Sequence, residues 1–360
     1  MNSNERSTLN PADLSPEHSF GLRPAVAITR GETTESVHCA AVAVVDREGR
    51  LIASYGDPHL ATYSRSSLKP IQALAAVMRG FPDRFGLTDR HLALACASHS
   101  GEDYHVEAAG QILAAIGATG DDLQCGIHIP AYIKPDNGGV PPKATFTTLH
   151  NNCSGKHSCM LALARMLNMP LADYLKFDAP TQRLIRGMVA EMTGVAAEDM
   201  PHGIDGCSAP NYVLPLSALA RGFARLAWAT TQAPGSLSEA DRAGARNARA
   251  MMTYPEMVSG TGRFDLQLVE AAGRRIFSKA GGEAIECVGI PERGWGLALK
   301  IGDGGVRAIG PLTVSVLQEL GVLDEAAVAT LDPVAHPHLK NHRGIQIGTA
   351  RSLARLKFHD

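Results

Sequence analysis

Residues 66–80 read SSLKPIQALAAVMRG, and the reading of this stretch organises the rest of the chain. A serine opens it, apolar residues recur at a period near 3.6, and Gly80 closes it, which is the pattern of a buried helix. Pro70 suits the first turn, where a missing N–H costs no hydrogen bond. The same opening is a Ser-x-x-Lys. Residues three apart at a helix start share a face, so the spacing predicts the Ser66 hydroxyl against the Lys69 amine. Alone, so short a motif more often marks a capping serine beside a solvated lysine than chemistry. Ser67 has the poorer spacing to Lys69.

Working outward, AVAITR at 25–30 and CAAVAVVDREGRLIASYGD at 39–57 read as a strand and a hairpin that turns at Glu48-Gly49. Periodicity predicts helices over 102–116, 154–166, 180–192, 214–229, 240–252 and 308–320. Between them, 125–143 is a Gly- and Pro-rich loop of the kind that borders sites. RRIFSKAGG (274–282), AIECVGI (284–290) and GWGLALKIGDGG (294–305) read as an antiparallel meander. The expected fold class is therefore α+β, with an antiparallel sheet built from both chain ends, flanked by helices, and a helical subdomain inserted between them. The expected division is a flexible tail over 1–22, then one catalytic unit over 23–360. Within that unit the sheet draws on about 23–65 and 264–360, and the helices on about 66–263.

Composition narrows the function. Apolar residues make up 45% of 360, enough for a sizeable core. The 34 basic and 36 acidic side chains leave a formal charge of −2, which gives no electrostatic pull toward nucleic acid or an anionic membrane. A small-molecule partner is expected. No apolar run reaches membrane-spanning length, and the polar first 19 residues read as neither signal peptide nor anchor. Seven cysteines, an odd number, predict free thiols or metal ligands in a reducing cytoplasm.

Four further segments carry chemistry. SKAGG at 278–282 places Lys279 on a late strand with glycines after it, which lets a ligand approach the backbone. It resembles the Lys-Thr-Gly box that accompanies Ser-x-x-Lys in penicillin-binding proteins and serine β-lactamases. CASHSGEDYH at 96–105 holds Ser98, His99 and Ser100 in a turn. Ser100 reads as a helix cap, whereas Ser98 has no capping role of its own. In HGIDGCSAPN at 202–211, Asp205 either caps locally or binds an ammonium group. LHNNCSGKHSCML at 149–161 sets Cys153 and Lys156 three apart at a helix start, with Cys207 distant in sequence as a third metal candidate. Ser154 reads as that helix's cap, and Asn152 and His157 as pocket-lining residues. Spacing alone makes a poor zinc signal, since neither Cys-x-x-Cys nor His-x-x-x-His is present and lysine must lose a proton to coordinate.

Taken together, RSSLKPIQAL, CASHSGEDYH, NNCSGKHSCML, DGCSAPN and PEMVSGTGRFD resemble the asparaginase II family, the Rhizobium-type L-asparaginases, over about 26–322. That family is similar in fold to serine β-lactamases and glutaminases. The resemblance implies hydrolysis of L-asparagine to L-aspartate and ammonia by two serine–lysine pairs, Ser66 with Lys69 and Ser98 with Lys279. It also implies substrate-binding roles for Arg65 and Asp205, to which the polar turns add His99 and Asn152. A zinc site of Cys153, Lys156 and Cys207 that positions substrate, no organic cofactor, and a homodimer complete the implication. Cys159 departs from the family pattern, where glycine is common, and is expected to affect helix packing first. The favoured nucleophile is Ser66, with Ser98 and Lys279 as proton relay; the reverse assignment stays open. The rival readings are a β-lactamase, penicillin-binding-type or glutaminase acyl hydrolase, and a non-catalytic metal-binding protein.

Overall fold

The computed structural model describes residues 20–133 and 145–360. Most of the expected tail (1–19) and part of the expected loop (134–143) thus lie outside the described residues. The strands are β1 (Arg23–Arg30), β2 (Thr33–Asp46), β3 (Leu51–Tyr55), β4 (Ala61–Tyr63), β5 (His202–Ile204) and β6 (Pro210–Pro215), then β7 (Phe277–Gly281), β8 (Ile285–Ile290), β9 (Trp295–Ile301), β10 (His338–Lys340), β11 (Gln346–Ser352) and β12 (Lys357–Phe358). The main sheet runs β10-β11-β1-β2-β9-β8-β7, with β3 also paired to β2 and β12 to β3. Its pairings are antiparallel, and Val42 lies opposite Leu299 where the two chain ends meet. The fold is α+β.

The apolar run of β2 explains why the sheet is covered on both faces. Successive strand residues point to opposite sides. Ala41, Ala43 and Val45 enter one core with Phe277, Cys287 and Ala298, while Ala40, Val42 and Val44 enter a second with Val288, Leu297 and Leu299. A strand buried on both faces has to be apolar throughout.

The first core is completed by α1 (Lys69–Gln72), α2 (Leu74–Val77), α3 (Asp89–Ala95), α4 (Asp103–Ala115), α5 (Ser154–Met166), α6 (Pro180–Thr193), α7 (Leu216–Ala229), α8 (Glu239–Thr253) and α9 (Pro255–Val258). The second is closed by α10 (Phe264–Ala271), α11 (Ile309–Glu319) and α12 (Glu325–Ala335). The single helix expected over 66–80 is instead a 3-10 turn, Arg65–Leu68, followed by α1 and α2, with Gly80 (φ 97°) ending the run as expected. The helix expected from 214 begins at Leu216, because Pro215 ends β6 in extended conformation. The helical region also holds a small sheet, β4-β6-β5, that sequence periodicity missed.

Helix α5 carries the segment quoted at 149–161 and is seated by Gly155. A Cβ there would lie 2.3 Å from the Leu94 carbonyl oxygen, so only glycine lets α5 approach the end of α3. We expect Gly155→Ala to lower unfolding free energy by about 1–3 kcal/mol through overpacking, read as a lower denaturation midpoint. An unchanged midpoint would show that the helices are not fixed by this contact.

Candidate active site

The turn before α1, the turn after α3, the residues leading into α5, the turn at 205–207 and the end of β7 meet over one cavity of about 390 Å³. Arg65, Ser66, Ser98, Asn152, Cys153, Asp205 and Cys207 line it, all singled out from sequence. His128, Asn151, Arg263 and Val306 line it too and were not.

The turn before α1 is held in an unusual shape. Arg65 has φ of 48°, left-handed backbone that a non-glycine residue adopts only when its surroundings enforce it. The Asn211 side chain accepts from the Arg65 N–H at 3.0 Å, and the Arg65 Nε donates to Asp205 Oδ1 at 2.9 Å. Asp205 Oδ1 also accepts the Gly206 N–H at 2.8 Å. Against this turn lies Gly281, where a Cβ would stand 3.2 Å from both Ser64 O and Ser67 N. The glycines after Lys279 therefore admit the turn that carries Ser66.

Ser66 is half-buried at the cavity wall and makes no side-chain hydrogen bond among the described residues. Lys69 is buried, and its Nζ donates to Ala97 O at 2.6 Å, Ser98 Oγ at 2.9 Å and Asn152 O at 3.4 Å. Three acceptors match the three donors of an ammonium. The pairing expected from spacing is thus replaced: Lys69 reaches Ser98, from another segment, rather than Ser66. Helix periodicity places residues on a face but says nothing of what packs across from them.

Lys279 is fully buried, and its Nζ donates to Ala280 O at 2.6 Å rather than to Ser98. Burial pushes its amine down to about 8, against the opposing Asp265 charge, and the nearby Lys69 charge adds to the fall.

Several expected roles change. His99 lies behind the cavity wall, 1% exposed, and does not line it. Its Nδ1 accepts the Gly101 N–H at 3.1 Å, which leaves Nε2 to donate to Ser154 Oγ at 2.9 Å. Burial and the neighbouring His105 and Lys69 hold this ring well below the usual histidine range, so it is a neutral scaffold. Ser154 is the first residue of α5, not its cap, and donates to Leu149 O at 2.9 Å. Ser100 likewise donates to Ser259 O at 2.9 Å, and Glu102 occupies the cap position of α4.

At the start of α5 two sulfurs and an amine converge. Lys156 Nζ donates to Cys207 Sγ at 3.1 Å, and Cys153 Sγ to Asn152 Oδ1 at 3.2 Å. The neighbouring Cys153 first, and then the adjacent Lys156 charge, lower the Cys207 thiol against the opposing effect of burial. Asn151 fixes this geometry, accepting the Cys153 N–H at 2.8 Å while its amide donates to Cys125 O at 2.9 Å. His157 Nδ1 pairs with the Tyr174 hydroxyl at 2.7 Å while the ring also lies against Cys207, and burial lowers it to about 4. Among the described residues no group of three His, Cys, Asp or Glu side chains is placed to hold a metal. Two soft sulfurs and the Lys156 amine converge there, a set that would suit zinc only once that amine, which donates to Cys207, loses its proton. All seven cysteines are free. Cys159 is 3% exposed inside the first core, and burial pushes its thiol up, so it is a packing residue.

The chain is similar to a β-lactamase from Mycobacterium bovis at 16% identity and TM-score 0.41, over 78% of this chain and 94% of that one. It is similar to Mglu in its native form at 16% identity and TM-score 0.33, over 80% and 66% respectively. No curated protein matches it. The family model for L-asparaginase II matches residues 26–352, nearly the whole described chain, and the protein accordingly belongs to the L-asparaginase II family.

Proposed function

We propose that the cavity hydrolyses the side-chain amide of L-asparagine through an acyl-enzyme on Ser66. The observation that carries this reading is the buried Lys69 donating to Ser98 Oγ at 2.9 Å beside a cavity-lining Ser66 whose hydroxyl has no partner among the described residues. Ser66 attacks the amide carbon, and neutral Lys279, the lysine that burial deprotonates near pH 8, receives its proton. The Lys69 ammonium supplies Ser98, whose hydroxyl delivers a proton to the departing ammonia. Water then attacks the ester and loses a proton through Ser98 to the neutral Lys69, while Lys279 returns its proton to the departing Ser66 oxygen, and L-aspartate leaves with Ser66 and both lysines restored.

Substrate ends are assigned by charge. Asp205 keeps one carboxylate oxygen clear of Arg65 and receives the α-ammonium. Arg263, exposed at the cavity wall, receives the α-carboxylate. Cys153, Lys156 and Cys207 would hold zinc, which when bound supplies a Lewis-acid anchor for one end of the substrate. Free thiols and balanced charge support a cytoplasmic enzyme.

The test is ammonia release from L-asparagine, L-glutamine and simple β-amides, with nitrocefin as a control and with or without prolonged chelation. We expect asparagine to be the best substrate, nitrocefin to be inert, and chelation to raise KM more than it lowers kcat. Turnover of nitrocefin with none of asparagine would favour the β-lactamase reading. Loss of kcat at saturating asparagine after chelation would give the metal a chemical step.

A further inference from the structure

Behind Lys279, outside the cavity lining, lies a buried cluster that the reaction above does not use. Asp265 opens α10 and is 5% exposed; Ser278 on β7 is 2% exposed and Glu286 on β8 is 0%. The Ser278 hydroxyl lies 2.9 Å from Asp265 Oδ1 and 2.7 Å from Glu286 Oε1. One hydroxyl carries one proton, so it serves only one of these carboxylates as donor. The remaining contact is satisfied only if one carboxyl brings a proton of its own. Glu286 Oε2 has no partner among the described residues while Glu286 is a carboxylate, and a bare carboxylate oxygen in that position is costly. Asp265, by contrast, sits in the first turn of α10, where the helix dipole favours negative charge, and its Oδ2 accepts the Ala280 N–H at 3.4 Å. That N–H belongs to the residue whose carbonyl receives the Lys279 amine.

We propose that Asp265, Ser278 and Glu286 form a positioning unit for Lys279, in which Glu286 is protonated, Asp265 carries the single negative charge, and that charge sets when Lys279 gives up its proton. Burial first, and then the Asp265 charge, holds the Glu286 carboxyl well above the usual range, in agreement with this distribution. The titratable groups that act on Lys279 or feel its charge are Lys69 from α1, Cys96 after α3, Arg263 ahead of α10, Asp265, and Glu286 and Cys287 from β8. Of these, Asp265 is the charged carboxylate. The unit therefore keeps a buried lysine from losing its proton too readily, and fixes the β7 edge on which that lysine sits.

The inference rests on Lys279 as the base, so its test includes a readout independent of turnover. In lysine-labelled protein, the Lys279 signal is assigned by its loss in Lys279→Arg and followed by NMR against pH. Asp265→Asn removes the charge, and we expect the Lys279 midpoint to fall by about one unit or more. Glu286→Gln replaces a protonated carboxyl by a neutral group of the same shape, and we expect the midpoint to stay in place. The rising limb of kcat/KM should follow the same two results. An unmoved midpoint in Asp265→Asn, or an equal fall in Glu286→Gln, overturns the inference. If Asp265→Asn does not fold, Glu286→Gln alone decides by the same criterion. If the NMR midpoints move as expected and the kinetic limb does not, the cluster stands and Lys279 is not the base.

Discussion

Ser66→Ala is expected to lower kcat/KM for asparagine by about 10⁴-fold or more, the scale on which removal of an attacking hydroxyl is felt. Binding should change little, because the proposed anchors of the substrate's two ends are Asp205 and Arg263, and the Ser66 hydroxyl is neither of them. Ser98→Ala is expected to cost less, about 10²- to 10³-fold, since it removes a proton carrier rather than the attacking atom. The two hydroxyls differ in their settings. Ser66 faces the cavity without a side-chain partner, whereas Ser98 already accepts from Lys69, and its backbone N–H is taken by Val258 O at 2.9 Å. Near-normal turnover in Ser66→Ala with none in Ser98→Ala would reverse the assignment.

Lys69→Met is expected to lower kcat by about 10³-fold, with the loss concentrated in departure of ammonia. Ammonia leaves poorly without a proton, and Lys69 is the ammonium that recharges Ser98. An aryl ester of the aspartate side chain, whose leaving group departs as an anion, should lose much less rate in the same variant. Equal losses on amide and ester would assign Lys69 to the attack step instead. In the unaltered enzyme, kcat/KM should rise with pH through an apparent midpoint near 8. Burial lowers the Lys279 amine to about 8, so the neutral form accumulates above that pH and the reaction that needs it accelerates. A rate that falls with pH over the same range would be inconsistent with a lysine base.

Much of this architecture was legible in the residue pattern, for a physical reason. The apolar run of β2 and the three late strands could be read because strand burial needs no more than local hydrophobicity. Helix α5 ends where periodicity places it, at Ser154 and Met166. By contrast α12 was missed because Pro333 interrupts its pattern, and the small sheet because β4 and β5 are three residues long. In the site, Ser66, Lys69, Ser98 and Lys279 could be singled out from the sequence, but not what each of them contacts. Lys69 crosses to Ser98 because α1 packs under the turn after α3, a tertiary fact that no spacing contains. His128 and Arg263 were missed for related reasons: one sits in a loop marked only as site-bordering, the other in PEMVSGTGRFD, quoted without a role. Asp265 ends that same motif, and its bond to Ser278 spans 13 positions.

The central claim is that Ser66 forms the covalent intermediate. The most direct measurement is mass mapping of peptides from enzyme quenched in acid during asparagine turnover. The expected result is an aspartyl ester on the peptide that carries Ser66, absent in Ser66→Ala. An aspartyl ester on the peptide that carries Ser98, surviving in Ser66→Ala, would contradict it.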